Sequence, residues 1–342
     1  MTNDVLRLTA ELMAIDSTSG REGELMAHVA LMLESRGWRV RRIPVSPGRI
    51  CVFAACVNDP IVTLSTHLDT VPPYIPPRIE GDTLWGRGAC DAKGIAAAMI
   101  LAAERLRERD VPVGLLFLVG EEVSHDGAHA ANESAGTSRI LIGGEPTEGK
   151  LALGTKGAMR AVLRTSGVAA HSAYPELGDS AIAKLVTLLA ELPSLQLPHD
   201  SLLGATTVNV GMISGGLADN VIAPVAEARI MVRLVSDEEE VWQLLQTWVA
   251  GRATLERGAT VRAMHLNTVP GFETTVAAFA TDLPVLTRWG TPYLYGPGSI
   301  HVAHTADERI TGAELRAAVD GYVRLTEAAL VAARPKTRDL AS

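Results

Sequence analysis

Residues 61–73 read IVTLSTHLDTVPP. Apart from Ser65, the run from Ile61 to Thr66 is made of the β-branched and aliphatic residues that strands favour. It ends on His67 and Asp69, two groups that are costly to bury, and Pro72 and Pro73 then stop any continuation. A strand running out into solvent accounts for one such ending. Delivery of both groups to a site is the alternative, and it depends on whether other strands end the same way.

Working outward, DVLRLTAELMAI (4–15) and EGELMAHVALMLESRG (22–37) carry helical periodicity, with Gly37 as a stop signal. WRVRRI (38–43) and ICVFAACV (50–57) read as strands, AKGIAAAMILAAERLRERD (92–110) as an Ala-rich helix, and VGLLFLVG (113–120) and RILIGG (139–144) as short apolar strands. Strands interleaved with helices predict an α/β sheet that is at least partly parallel. The middle of the chain changes character. GAMRAVLRTSG (157–167) alternates as a strand and GDSAIAKLVTLLAEL (178–192) is an amphipathic helix. TTVNVGMISG (206–215) and VAEARIMVRLV (225–235) are strands, DEEEVWQLLQTWVAG (237–251) a helix and ATVRAMHL (259–266) a strand. That order is β-α-β-β-α-β, the split βαβ arrangement of ferredoxin-like α+β domains. The expected organisation is therefore an α/β domain from 1–156 and 267–342, interrupted by an inserted α+β domain at 157–266. The tail RPKTRDLAS (334–342) reads as frayed.

Composition narrows the class. The chain has 342 residues, 47% apolar and 20% charged, with a net charge of −8, as in an ordinary globular protein. The basic residues form no long stripe, which argues against a nucleic-acid partner. No apolar run approaches the roughly 18 residues of a membrane span. The first twenty residues lack a basic region ahead of an apolar stretch, so the expected location is cytoplasmic. Cys51, Cys56 and Cys90 are odd in number and lack CxxC spacing, which predicts reduced thiols and no thiolate zinc site.

Other strands do end like the first. VGLLFLVGEEVSHDG closes on Glu121 and Glu122, RILIGGEPTEG closes on Glu145, and TPYLYGPGSIHVAHTADERI passes through a glycine-rich loop to His304. Asp91 stands at the start of the Ala-rich helix, where an N-cap is the plain structural reading. In α/β sheets, ligands and chemistry gather outside the carboxyl ends of the strands. If the groups converge, Asp91, Glu121, Glu122 and Glu145 bring about −4 into one cleft, and leaving them unpaired costs several kcal/mol each. Two divalent cations would balance that charge, and His67 and His304 add the nitrogen donors of a zinc-type ligand mixture.

STHLDTVP, GRGACDAKG, GEEVSHDG, GGEP and AHTADE resemble, in order, the motifs of the dinuclear zinc amidohydrolase and peptidase family that includes acetylornithine deacetylase, succinyl-diaminopimelate desuccinylase, aminoacylase and carboxypeptidase G. The resemblance covers essentially the whole chain and implies a zinc-exopeptidase-like catalytic domain, with the insertion serving as lid and homodimerisation domain. It implies that His67, Asp91 and Glu145 hold one metal and Asp91, Glu122 and His304 the other. The metal would be zinc, with cobalt or manganese as substitutes. Asp91 would bridge, and the peptide bond after it is often cis in the family. Asp69 would accept a hydrogen bond from His67 and fix its tautomer. Glu121 would be the general base. In the insertion, GVAAHSAYPELG (167–178) carries His171, which the resemblance makes an oxyanion-stabilising group crossing from the partner subunit. Asn220 in GGLADNVIAP and Arg233 in ARIMVRL would contact substrate, the arginine at its carboxylate. The YGPGSI stretch, and His301 after it, would line the pocket.

The expected reaction is removal of an N-acyl group from an amino acid, acetylornithine-like by preference. An N-acetyl-lysine or acetylcitrulline deacetylase, a succinyl-diaminopimelate desuccinylase and a small-peptide exopeptidase share the chemistry. A non-catalytic dimeric ligand-binding relic of the fold is the reading from another class. HDGAH (125–129) imitates HExxH, but Asp126 replaces the glutamate and Gly127 weakens a helix. GKLALGTKG (149–157) does not satisfy GxxxxGK[ST], and no GxSxG is present. His28, His199 and His265 read as surface or packing residues.

Overall fold

A computed structural model of the chain describes residues 4–333; the tail read as frayed lies outside the described residues. The chain forms two compact units. One gathers the residues up to Leu153, Leu266–Thr275 and the chain from Asp282 onward; the other comprises Gly154–His265 and Val276–Thr281. Among the described residues, no helix is long and apolar enough to cross a membrane.

The first unit is built on a six-stranded sheet in the order Arg39–Ser46, Arg49–Ala55, Val113–Leu118, Val62–His67, Ile140–Gly143, Thr291–Leu294. The first two strands pair antiparallel, as do the second and third. The four from Val113–Leu118 onward run parallel. Their carboxyl ends therefore share one edge, which is the requirement set by the opening stretch. Val62–His67, Val113–Leu118 and Ile140–Gly143 are buried along their whole length, and parallel strands covered on both faces read as continuous apolar runs for that reason. Helix Lys93–Glu108 is buried nearly all round, so alanine serves it by letting neighbours approach closely. Helix Gly312–Ala332 opens with a capping box in which Thr311 and Glu314 satisfy each other's backbone N–H groups.

The second unit is a four-stranded antiparallel sheet in the order Thr207–Gly215, Val225–Leu234, Gly157–Ser166, Thr254–Val261. Helices Ala181–Glu191 and Glu238–Val249 supply the two α elements of the β-α-β-β-α-β order. Met159, Ala161 and Leu163 alternate inward and meet Leu185, Leu188, Leu245 and Trp248 of the helices in one core; each fully buried leucine contributes about 1.5–3 kcal/mol. The last strand begins at Thr254, five residues before the expected start at Ala259. Glu256 and Arg257 interrupt its apolar pattern, because their side chains pair with Arg164 and with Glu238 and Glu239 instead of pointing into the core.

Candidate metal centre

His67 is the last residue of its strand, lies opposite Leu118 and is 1% exposed. Its Nε2 is 3.0 Å from Asp91 Oδ1. On the other side of the ring, Nδ1 lies 3.0 Å from the main-chain oxygen of Asp69 and 3.5 Å from that residue's Oδ1. The shorter of these contacts is to the carbonyl, not to the carboxylate as expected. The Asp69 carboxylate has further partners: it accepts from Ser19 Oγ at 2.8 Å and from the backbone N–H groups of Glu121 at 3.0 Å and Glu122 at 3.2 Å. Burial opposes its ionisation. The His67 ring, Ser19 and the Glu122 N–H outweigh that and hold its pKa below the ordinary value. Asp69 thus ties the end of one strand to the turn after the next. That turn is reached through Gly120, whose φ of +75° and contact with Asp126 leave no room for a side chain.

Asp91 is not the helix cap that its position first suggests. The N-cap is Ala92, with no side-chain capping bond, and the Asp91–Ala92 peptide is cis. The Asp91 carboxylate instead gives one oxygen to each of two imidazoles: Oδ1 to His67, and Oδ2 to His304 Nε2 at 3.2 Å. The same His304 nitrogen is 3.0 Å from Glu122 Oε1. Burial works against the ionised Asp91, and the bonds from His304 and His67 overcome it, so its pKa is depressed. Bonds to Asp91 and Glu122 push His304 up to about 10 against its burial; a cation taking Nε2 displaces that proton. Burial, with the negative Asp91 beside it, raises Glu122.

Glu145 follows the Ile140–Gly143 strand and is 7% exposed. Burial lifts its pKa well above the usual carboxylate value. His67 opposes the shift, and Asp91, Asp282 and Glu122 add to it. Glu121 is raised in the same way, by burial first, with Glu145, Asp282 and Glu122 reinforcing it against His67. The structure therefore brings His67, Asp91, Glu122 and His304 into direct contact, with Glu121 and Glu145 in the same electrostatic field.

Whether this set suits a metal is a question of charge and donor chemistry. His67, Asp91 and Glu122 each offer one ligand atom, all within 4.8 Å of one another. The ion-pair geometry gives Asp91 two imidazole partners, His67 and His304, and gives Glu122 one, His304. A largely buried acidic cluster carrying imidazole nitrogens fits divalent zinc-type ions.

Several residues of the neighbourhood carried no sequence signal. Asp282 is buried and lies 2.8 Å from His125 Nδ1, which accounts for the first histidine of HDGAH. Lys93 is fully buried, donates to the Ile15 carbonyl at 2.8 Å and is pushed down to about 8 by burial. His28 pairs with Glu11 and His265 with Asp200. Cys51, Cys56 and Cys90 are free.

His171, Asn220 and Arg233 belong to the second unit. His171 is exposed, its Nδ1 accepts the Ala173 N–H at 3.1 Å, and it bridges to Val221. The Asn220 carbonyl accepts the Ser172 N–H at 3.0 Å, so these two loops are joined. Arg233 is half-buried on Val225–Leu234, opposite Thr207 and Ala158.

Four parallel strands of a mixed sheet thus deliver histidine and carboxylates from their carboxyl ends, in a chain that also carries a ferredoxin-like insertion. Residues 153–255 match the peptidase dimerisation domain family. A probable carboxypeptidase of Aspergillus clavatus is 36% identical over 95% of this chain and 82% of its own length. A peptidase M20 domain-containing protein of Schizosaccharomyces pombe is also 36% identical, over 94% of this chain and 84% of its own. The M20 family metallo-carboxypeptidase of Sulfolobus solfataricus shares the fold, with a TM-score of 0.77 and 17% identity over 96% of this chain and 100% of that one. The chain belongs to the M20 peptidase family.

Proposed function

We propose that the protein is a dinuclear-metal carboxypeptidase that removes the C-terminal residue of short peptides. The observation that carries this reading is Asp91, buried between His67 and His304 beside Glu122, with one carboxylate oxygen turned to each imidazole. His67, Asp91 and Glu145 would hold one ion, and Asp91, Glu122 and His304 the other. When bound, the ions supply Lewis acidity at the scissile carbonyl and an acidified water. Glu121 takes the proton of the attacking water and returns it to the leaving amine. Asp69 fixes both the His67 ring and the backbone of Glu121 and Glu122.

For the second unit we propose oxyanion stabilisation by His171, supplied from a partner subunit, and substrate contact by Asn220 and Arg233. The fungal relative's name favours a peptide over the N-acetyl amino acid first expected. The two share one linkage, an amide whose amine side is an amino acid with a free carboxylate. Zinc is the proposed metal, and the three free thiols fit a reducing, cytoplasmic setting. The test is elemental analysis for zinc beside a panel of dipeptides, tripeptides, N-acetyl and N-succinyl amino acids. Turnover of dipeptides well above every N-acyl amino acid is expected, and selective turnover of acetylornithine restores the deacetylase reading.

Two further outcomes are expected. Asp69→Asn should weaken zinc affinity or kcat about 10–100-fold, the range for partners that orient ligands, measured by chelator competition and initial rates. The second concerns the proposed homodimer. Thr207–Gly215 is an edge strand of the second unit's sheet, with Met212 and Ile213 each 62% exposed; an apolar, unpaired edge invites pairing with another chain. Met212→Lys with Ile213→Glu should convert a dimer to a monomer in analytical ultracentrifugation.

A further inference from the structure

Four residues beyond His304, Glu308 is completely buried, as is its partner Arg87 at 2% exposure. Arg87 Nη1 lies 2.5 Å from Glu308 Oε2 and also donates to the Thr305 carbonyl, the residue after His304, at 3.3 Å. The other carboxylate oxygen, Oε1, faces the loop that carries Asp91. It accepts the backbone N–H of Gly88 at 2.8 Å, of Asp91 at 3.3 Å and of Cys90 at 3.4 Å. The main chain closes the link a third time, through the Gly86 N–H and the Glu308 carbonyl at 2.9 Å. One buried ion pair therefore joins the turn bearing His304 to the turn bearing Asp91, more than 200 residues earlier in the chain.

We infer that the Arg87–Glu308 pair is a positioning device that sets Asp91 against His304 and so prepares the metal centre. Neither residue is placed to touch the metal or substrate. The effect passes through the Asp91 backbone and the turn after His304. This rests on Asp91 and His304 being ligands, as proposed above. Removing one partner of a buried pair leaves an uncompensated charge, whereas replacing both with apolar residues of similar volume is often neutral for stability. That difference separates positioning from simple packing.

The experiment compares Arg87→Met/Glu308→Gln, which keeps an acceptor oxygen for the loop, with Arg87→Met/Glu308→Leu, which does not. Each is measured for thermal unfolding after chelation, for zinc affinity by competition with a chromophoric chelator, and for kcat and KM. The Gln double should unfold within a few degrees of the wild-type chain; the Leu double, which leaves the N–H groups of Gly88, Cys90 and Asp91 without that acceptor, should unfold lower but in one cooperative transition. The Gln double should keep zinc affinity within about threefold, while the Leu double should lose about 10–100-fold in affinity, with a lower kcat and an unchanged KM. Wild-type zinc affinity in a folded Leu double overturns the proposal. Should that double not fold, Glu308→Asp, which keeps the charge but withdraws the oxygens by one methylene, is expected to lose at least about tenfold in zinc affinity; wild-type affinity there overturns the proposal equally. Asp91→Asn and His304→Ala serve as references. If neither weakens zinc binding, the ligand assignment itself fails. If they do and the Glu308 variants do not, only the positioning role fails.

Discussion

Glu121→Gln is expected to lower kcat by about 10²–10⁴-fold, the contribution of a positioned general base, while zinc content stays at the wild-type level. Two adjacent carboxylates are used differently. Glu122 reaches His304 at 3.0 Å and is committed to the ring that also meets Asp91. Glu121 makes no such contact; its backbone N–H is fixed by Asp69 at 3.0 Å, and its carboxylate lies in the field of His67, Glu145 and Glu122. A carboxylate held beside the ligand set but outside it is free to move a proton. Glutamine preserves size and hydrogen bonding yet cannot accept that proton, so chemistry should fail without disturbing metal binding. Single-turnover kinetics beside elemental analysis distinguish the outcomes. Joint loss of metal and activity would make Glu121 a ligand, and unchanged kcat would remove it from the reaction. A binding relic, by contrast, shows no turnover for this substitution to lower.

The centre was legible in part because it sits at strand ends. An apolar run followed at once by His67, by Glu121 and Glu122, or by Glu145 is a local pattern, and the parallel sheet converts each such pattern into a point on one edge. Asp91 was ambiguous because an aspartate before a helix is a good cap; the contacts with His67 and His304 that argue for another use come from distant parts of the chain. The supports were not legible at all. Ser19 reaches Asp69 across 50 residues and Arg87 reaches Glu308 across 221, and a contact of that span leaves no periodicity or spacing in the chain. Asp282, which pairs with His125, is hidden in the same way. Thr254–Val261 was misplaced for a different reason: two consecutive charged residues, Glu256 exposed and Arg257 set against Glu238, Glu239 and Trp242 of the helix, broke the alternation that marks a strand.

The second large effect belongs to Asp91→Asn, which should remove turnover and reduce zinc retention by more than about 100-fold, the upper range for substitutions one shell further out. The two oxygens of Asp91 face different imidazoles, at 3.0 Å and 3.2 Å. Asparagine keeps one oxygen and replaces the other with an NH₂ that cannot act as an anionic donor. The replaced atom leaves either the His67 or the His304 side without its shared ligand. The net negative charge that would attract the ions falls as well. Loss should therefore exceed that of a ligand serving a single side, such as Glu145→Gln. Chelator competition on both variants checks the order. A Glu145 variant that loses as much zinc as the Asp91 variant would mean that Asp91 does not serve both ions, and the bridging assignment falls.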